Sequence, residues 1–154
     1  MVLIDRMKPG EAEALGQIMW DAIHRGHSHY TPAQRMAWLP ASATGEIWEG
    51  KLASQSIWVA RDDDARVGFI TLGDEGYVDL AYVAAAAQGR GVFSALLAAL
   101  EAEARDRTVP RLWTHASLMA QPAFIARGFH VIRHETVERS GQRLARAEME
   151  KVLT

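Results

Sequence analysis

The sequence predicts an α/β fold of the α+β kind, with a mixed sheet carrying helices on both faces. Three observations predict it. Three short β-rich runs follow one another at residues 56–60, 66–72 and 77–83, separated only by polar turn segments, and that spacing makes an antiparallel meander. Beyond them, helix-like and strand-like patterns alternate as far as residue 127, as in a sheet covered by helices. Two further β-rich stretches, 129–139 and 143–153, flank Ser140-Gly141, a hairpin turn signal.

The elements can be justified in chain order. Residues 2–7 alternate and form a first strand. Pro9, Glu11 and Glu13 suit a helix start, where acids favour the positive end of the dipole. Ala14, Leu15, Ile18, Met19, Ala22 and Ile23 then recur at three- and four-residue spacing, which gives one apolar stripe. Gly26 stops that helix. Thr31-Pro32 is an N-cap followed by proline at the first helical position, opening a short helix through Trp38, and Pro40 ends it. Thr44 caps another turn or two through Leu52. After the meander, a long helix runs from Gly91 to about residue 105, with Val92, Phe93, Leu96, Leu97 and Leu100 on one face. A strand at 111–116 and a helix at about 119–127, closed by Gly128, complete the order.

Composition narrows the function. The chain has 154 residues, 49% of them hydrophobic and 23% charged, and reads as one domain spanning 1–154. It has no cysteine, which excludes disulfides, thiolate metal sites and a cysteine nucleophile. The net charge is −2 and the pI about 6.3, far from the basic balance of a nucleic-acid-binding domain. The apolar stretch at residues 2–4 is too short for a signal-peptide core, and the longest apolar run, 80–87, is too short to span a membrane. The expectation is a cytoplasmic protein with no nucleic-acid or membrane partner.

The most informative segment is residues 83–94, VAAAAQGRGVFS. A strand ends, a small-residue loop follows, and Gln88-Gly89-Arg90-Gly91 opens the long helix. The first N–H groups of a helix have no internal partner. Glycines there let a ligand approach the backbone, and the dipole favours negative charge, so the segment suits a pyrophosphate. Arg90 adds a positive charge. It is not a Walker loop, because no G-x-x-x-x-G-K-[ST] is present, and Ser94 stands where G-x-G-x-x-G would need its last glycine.

On these residues the chain resembles the GNAT superfamily of acyl-CoA-dependent N-acyltransferases, whose signature is Q/R-x-x-G-x-G/A. Gln88 and Gly91 match it, and Phe93 departs from the small third residue. A second stretch, 117–129, is similar to the family pattern N-x-x-A-x-x-x-Y-x-x-x-G-F. Ala120, Gly128 and Phe129 match, Ser117 replaces the usual Asn, and Phe124 replaces the usual Tyr. The resemblance covers essentially the whole chain.

The resemblance implies a mixed, mostly antiparallel central sheet of about six to seven strands flanked by helices. It implies acetyl-CoA as cosubstrate and direct transfer of its acetyl group to an amine of a small molecule or peptide. The loop amides of Gln88, Gly89, Arg90, Gly91, Val92, Phe93 and Ser94 would hold the pyrophosphate. The backbone of Ala81, Tyr82 and Val83 would hold the pantetheine arm, with Ser117 and Phe124 beside it.

The chemistry needs a base for the amine, a donor for the oxyanion and a proton for the leaving thiolate. Family acids often sit on the strand at 77–83, where simple alternation puts Tyr77, Asp79, Ala81 and Val83 on one face. Asp79 is the first candidate for base or ammonium anchor and Tyr77 the second. Phe124 has no proton to give, so His115 and Tyr82 are the candidate acids. His24, His27, His29 and Tyr30 cluster in one loop with Trp38 close behind. The histidine spacing fits no zinc motif, so no metal is expected, and His27, His29, Tyr30 and Trp38 are expected to face the substrate. Two other readings stay open in the sequence: a non-catalytic acyl-CoA-binding or regulatory domain, and an unrelated α/β nucleotide binder. The acceptor and the oligomeric state, a homodimer included, are also open.

Overall fold

The computed structural model describes residues 1–154. Its elements are β1 (Val2–Arg6), α1 (Ala12–Arg25), α2 (Pro32–Trp38), α3 (Gly45–Ala53), β2 (Ser56–Asp62), β3 (Ala65–Leu72), β4 (Tyr77–Val83), α4 (Val92–Asp106), β5 (Arg111–Ser117), α5 (Gln121–Ala126), β6 (His130–Arg139) and β7 (Gln142–Val152). They form a seven-stranded sheet in the order β1-β2-β3-β4-β5-β7-β6. Every neighbouring pair is antiparallel except β4 and β5, which run parallel. The mixed, mostly antiparallel sheet expected from the sequence is therefore present, with the same order of elements.

Each face of the sheet has its own core. On one face Leu96, Leu97 and Leu100 of α4 pack with Ile70, Val78, Leu112 and Met149. On the other, Leu15, Ile18 and Met19 of α1 and Trp48 and Leu52 of α3 pack with Ile57, Val59, Phe69 and Leu80. Fully burying one such side chain contributes about 1.5–3 kcal/mol. Of the two predicted caps, Thr31 forms, whereas Thr44 stands at the N-cap of α3 without a side-chain capping bond. Thr31 and Gln34 make a reciprocal capping box at the start of α2, with Pro32 in the first turn. The hairpin between β6 and β7 turns on Ser140 and Gly141, both at positive φ, as a two-residue turn of this kind requires.

The structure corrects the expected alternation along β4. The register steps from Leu72 opposite Val78 to Ile70 opposite Ala81, so Thr71 faces both Asp79 and Leu80. This is a β-bulge, which inserts one residue and re-aims those after it. The hydroxyl of Thr71 accepts the Leu80 amide at 3.0 Å. Val78, Ala81 and Val83 consequently lie on the α4 side, whereas Leu80 and Tyr82 pack on the α1 side. Asp79 turns to the α1 side as well, toward Lys51 and Gln55. Tyr77 and Asp79 thus share a face with Tyr82, not with Ala81 and Val83.

The segment entering α1 is tied to the sheet by Glu11, which is 3% exposed. Its carboxylate accepts from Arg61 and Arg66 and from the Lys8 amide. Those bonds, led by the one from Arg61, outweigh burial and hold the Glu11 pKa at about 2. A carboxylate whose pKa is lowered on folding stabilises the fold above its unfolded value, near 4.5, and that contribution fades as pH falls toward 2. The shift corresponds to roughly 3 kcal/mol. Glu11→Gln is expected to remove a comparable amount in urea unfolding at pH 7, with the difference from the parent shrinking below pH 4. Equal unfolding midpoints at pH 7 would contradict this.

Candidate active site

The site begins where β4 and β5 part. The two strands pair only at Tyr77 with Trp113 and Val78 with Thr114. They are pinned there: the Thr114 hydroxyl donates to the Val78 carbonyl at 2.8 Å. Gly76, at φ +78, lies so close to β5 that a Cβ would sit 2.0 Å from the Arg111 carbonyl oxygen. Beyond Val78 the strands diverge, and a cleft of about 420 Å³ opens along the gap.

One wall of the cleft is the end of β4. The Ala84 amide bonds to the Val67 carbonyl at 2.8 Å. Antiparallel alternation then makes Tyr82–Phe69 the next bonded pair. The N–H and C=O groups of Ala81 and Val83 therefore point into the gap. Gln88 confirms one of these directions, because its side-chain amide donates to the Val83 carbonyl at 3.0 Å. The Gln88 oxygen in turn faces the His27 amide at 3.4 Å. Gln88 thus ties the loop both to the end of β4 and to the segment after α1.

The loop itself is an open backbone cradle. Gly89 and Gly91 both have positive φ, and Gly91 is the N-cap of α4 with no side-chain cap. The first bond of the helix is from the Ala95 amide to the Gly91 carbonyl. The amides of Val92, Phe93 and Ser94 are left without an intrahelical partner. Gly89 and Gly91 of this loop and Val92, Phe93 and Ser94 of the first turn of α4 line the cleft.

The opposite wall comes from α1, α2 and the end of β5. Tyr30 is 7% exposed; its hydroxyl donates to the Ala145 carbonyl and accepts the Leu118 amide. It thereby fixes the chain just past β5. Trp38 stacks on Tyr30 with ring centroids 5.7 Å apart, and its indole N–H reaches the Tyr82 hydroxyl at 3.5 Å. Burial pushes the Tyr82 phenol above its ordinary value, so it stays protonated at neutral pH.

The closed end of the gap carries a second polar group. The Tyr77 hydroxyl and His115 Nδ1 are 2.8 Å apart. Burial lowers the His115 pKa below 6.5, so the imidazole is largely neutral at pH 7. Burial likewise raises Tyr77, with the Asp79 charge adding to it. The ligand atoms of His115, Glu135 and Glu148 lie within 4.8 Å of one another. Both carboxylates already have cationic partners, Arg146 on Glu135 at 2.7 Å and Arg133 on Glu148 at 3.2 Å, so this is an ion-pair network around the imidazole.

The sequence-predicted residues are distributed unevenly over this site. Ala81, Tyr82, Val83, Gln88, Gly89, Gly91, Val92, Phe93, Ser94 and Ser117 line the cleft, and so do His27, Tyr30 and Trp38. Arg90 is exposed beside the loop, and the His29 ring packs against His27 and is not part of the lining. Asp79 lies on the α3 side of β4, bonded to Gln55 at 2.9 Å and 3.5 Å from Lys51. Tyr77 and His115 sit at the paired base of β4 and β5 and are not part of the lining. Phe124 is 2% exposed and sits in the core, edge-to-face with Phe93 and Phe129 at 5.1 and 4.9 Å. A buried hydroxyl there would need a partner that this apolar trio does not supply, which accounts for Phe where the motif has Tyr.

Sequence reasoning missed Arg35, Ser28 and Met119 as lining residues. The Thr31-Pro32 start that placed α2 was legible, but nothing in the pattern said which side of so short a helix would meet the cleft.

The comparisons agree with this geometry. Residues 27–153 match the family described as Acetyltransferase (GNAT) domain. The chain is 35% identical over 141 residues to an uncharacterized N-acetyltransferase, YafP, of Escherichia coli strain K12, covering 91% of this chain and 89% of that one. Among solved structures, a GCN5-related N-acetyltransferase from Rhodopseudomonas palustris superposes with a TM-score of 0.87 at 28% identity, over 98% of this chain and 95% of the other. The acetyltransferase yncA from Salmonella typhimurium, solved with acetyl-CoA, gives a TM-score of 0.72 at 19% identity over 100% and 95% of the two chains. With a family match over most of its length, a cleft between parted strands and an amide cradle at its mouth, the chain belongs to the GNAT superfamily of acetyl-CoA-dependent acetyltransferases.

Proposed function

We propose that the protein transfers acetyl from acetyl-CoA directly to the amine of a small molecule or peptide, with both substrates held in the gap between β4 and β5. The observation that carries this reading is the parting of those strands. It presents the unpaired backbone of Ala81 and the Val83 amide along the same cleft as the free amides of α4. The α4 amides receive the pyrophosphate, since they and the helix dipole favour an anion. The pantetheine arm lies along β4, and an unpaired β4 amide stabilises the oxyanion of the tetrahedral intermediate. With no cysteine in the chain, no cysteinyl acyl-enzyme can form, and in this reading the amine attacks the thioester directly.

The closed end of the gap supplies the base. As the amine nitrogen bonds to the carbonyl carbon, its proton passes through water to Tyr77, which lies just outside the lining, and the proton of Tyr77 moves to neutral His115 Nδ1. Glu135 and Glu148 favour the imidazolium that results. The C–S bond then breaks, and Tyr82 gives its proton to the departing thiolate. Of the three tyrosines, Tyr82 is the one lining the cleft whose proton is not committed, because Tyr30 donates to Ala145. Asp79 is a charge partner of Lys51 in this reading and not the base. The fold, the absence of a helix able to cross a membrane and the bacterial relative support action in the cytoplasm.

Two measurements test this. With an amine panel and thiol release as readout, His115→Ala is expected to lower kcat by about 10²–10⁴ at an unchanged Kd for acetyl-CoA, and Tyr77→Phe to lower it similarly. Because burial depresses the His115 pKa, the parent loses activity as pH falls through a value below 6.5, and that limb disappears in His115→Ala. Full turnover in both variants would remove the pair from the mechanism. Separately, Gly91→Ala forces an L-residue into left-handed backbone at about 1–2 kcal/mol. Acetyl-CoA is expected to bind roughly 5- to 30-fold more weakly to it, and calorimetric titration showing equal affinity would argue against the cradle.

A further inference from the structure

Only one side chain lining the cleft bears a full charge, and it is Arg35 of α2. No Asp or Glu lines the cleft. Most cations of this chain have a carboxylate within 4.0 Å, but Arg35 has none. One end of its guanidinium donates to the His24 carbonyl at 3.0 Å, at the C-terminal end of α1. Its Nε is buried and has no hydrogen-bond partner. Its Nη2 also makes no hydrogen bond within the protein, so a guanidinium anchored at one end keeps a donor for an anion in the cleft it lines. A buried donor left unpaired carries a desolvation cost that a bound acceptor relieves.

We infer that Arg35 receives the carboxylate of the acceptor, so that the acceptor is an amine that also carries a carboxylate, of the amino-acid class. The inference rests on the reading of the cleft as an amine-acetylating site and narrows its substrate. The charge pattern supports it. A diamine or polyamine would bring a second cation into a cleft wall that holds a cation and no anion, whereas a zwitterion finds a partner for its negative end. Arg35 stands in the same wall as Tyr30 and Trp38, whereas the amide cradle of α4 is formed by residues 91–94. A phosphate of the cosubstrate has the same anionic chemistry, and the experiment separates the two sources.

Matched amines are compared with and without the carboxylate: each α-amino acid, β-alanine and γ-aminobutyrate against its carboxamide and its decarboxylated amine. The parent is expected to favour the carboxylate member by roughly 10- to 100-fold in kcat/KM. Arg35→Gln is expected to erase that preference while leaving the Kd for acetyl-CoA unchanged, and Arg35→Lys to retain part of it. If Arg35→Gln instead weakens acetyl-CoA binding, Arg35 serves a cosubstrate phosphate and the inference fails. It also fails if the uncharged amines are preferred. A second measurement does not depend on turnover. The CoA-loaded protein is melted with N-acetyl amino acids and with their carboxamides. A rise in Tm that needs both the carboxylate and Arg35 supports the assignment, and equal shifts for acid and amide overturn it. Absence of turnover on every amine would overturn the acetylation reading, while the melting comparison would still decide the role of Arg35. Circular dichroism of Arg35→Gln and Arg35→Lys establishes that the lost bond to His24 has not unfolded α1.

Discussion

The site depends on one constraint: β4 and β5 are held together at their base and are nowhere else bonded to each other. Two residue pairs, the Thr114 hydroxyl on Val78 and the contact of Gly76 with Arg111 make the base rigid. Above it, backbone groups of β4 that a paired sheet would have consumed, those of Ala81 and the Val83 amide, are left to a ligand, while the Val83 carbonyl is held by Gln88. An extended thioester arm can bond to such an edge as an added strand would. An unpaired strand edge inside a sheet must otherwise be satisfied by water. The cleft is therefore a place where the fold has left main-chain bonds unmade and shielded them between two apolar walls.

The bulge at Asp79 and Leu80 follows from the same constraint. By turning Tyr77, Asp79 and Tyr82 to one side and Ala81 and Val83 to the other, it separates side-chain chemistry from backbone recognition. The phenols and the imidazole lie on the α1 side, where an acceptor can enter over α1 and α2. Val78, Ala81 and Val83 of β4 lie against α4, where they support the helix whose N-terminus opens on the cleft. Thr71 supplies the bond that the bulged Leu80 amide would otherwise lack, so the irregularity leaves no orphaned donor there.

Much of this was legible in the sequence, and the rest was hidden for identifiable reasons. The order of elements followed from apolar periodicity, and the loop at residues 88–94 from its glycines and its place before a helix. The faces of β4 were not legible, because period-2 alternation assumes an unbroken ladder and a bulge leaves no mark in so short a run. Asp79 was singled out as the carboxylate on that strand, but Lys51 and Gln55, distant in sequence, claim it. His115 and Tyr77 were both visible as candidates. Their contact was not, since it depends on two strands that are adjacent only because the chain crosses over through α4. Arg35 was invisible because its meaning lies in what it lacks, a counter-charge, and an absence of that kind exists only in three dimensions.

The two departures from the family motif are one packing event. Phe93 fills space at the start of α4 that a small residue would leave open, and it meets Phe124 edge-on, which in turn meets Phe129. Such pairs add about 0.5–1.5 kcal/mol beyond area burial. A tyrosine at 124 would put its hydroxyl into this apolar contact, so an aromatic residue at 93 and a phenol at 124 are hard to accommodate together. Once Phe124 is committed to the core, the proton for the thiolate has to come from elsewhere in the cleft. In the proposed mechanism the phenol of Tyr82 fills that role, held by Trp38 and kept protonated by its burial. The packing of Phe93 at the first turn of α4 and the absence of a phenol at 124 are thus physically coupled.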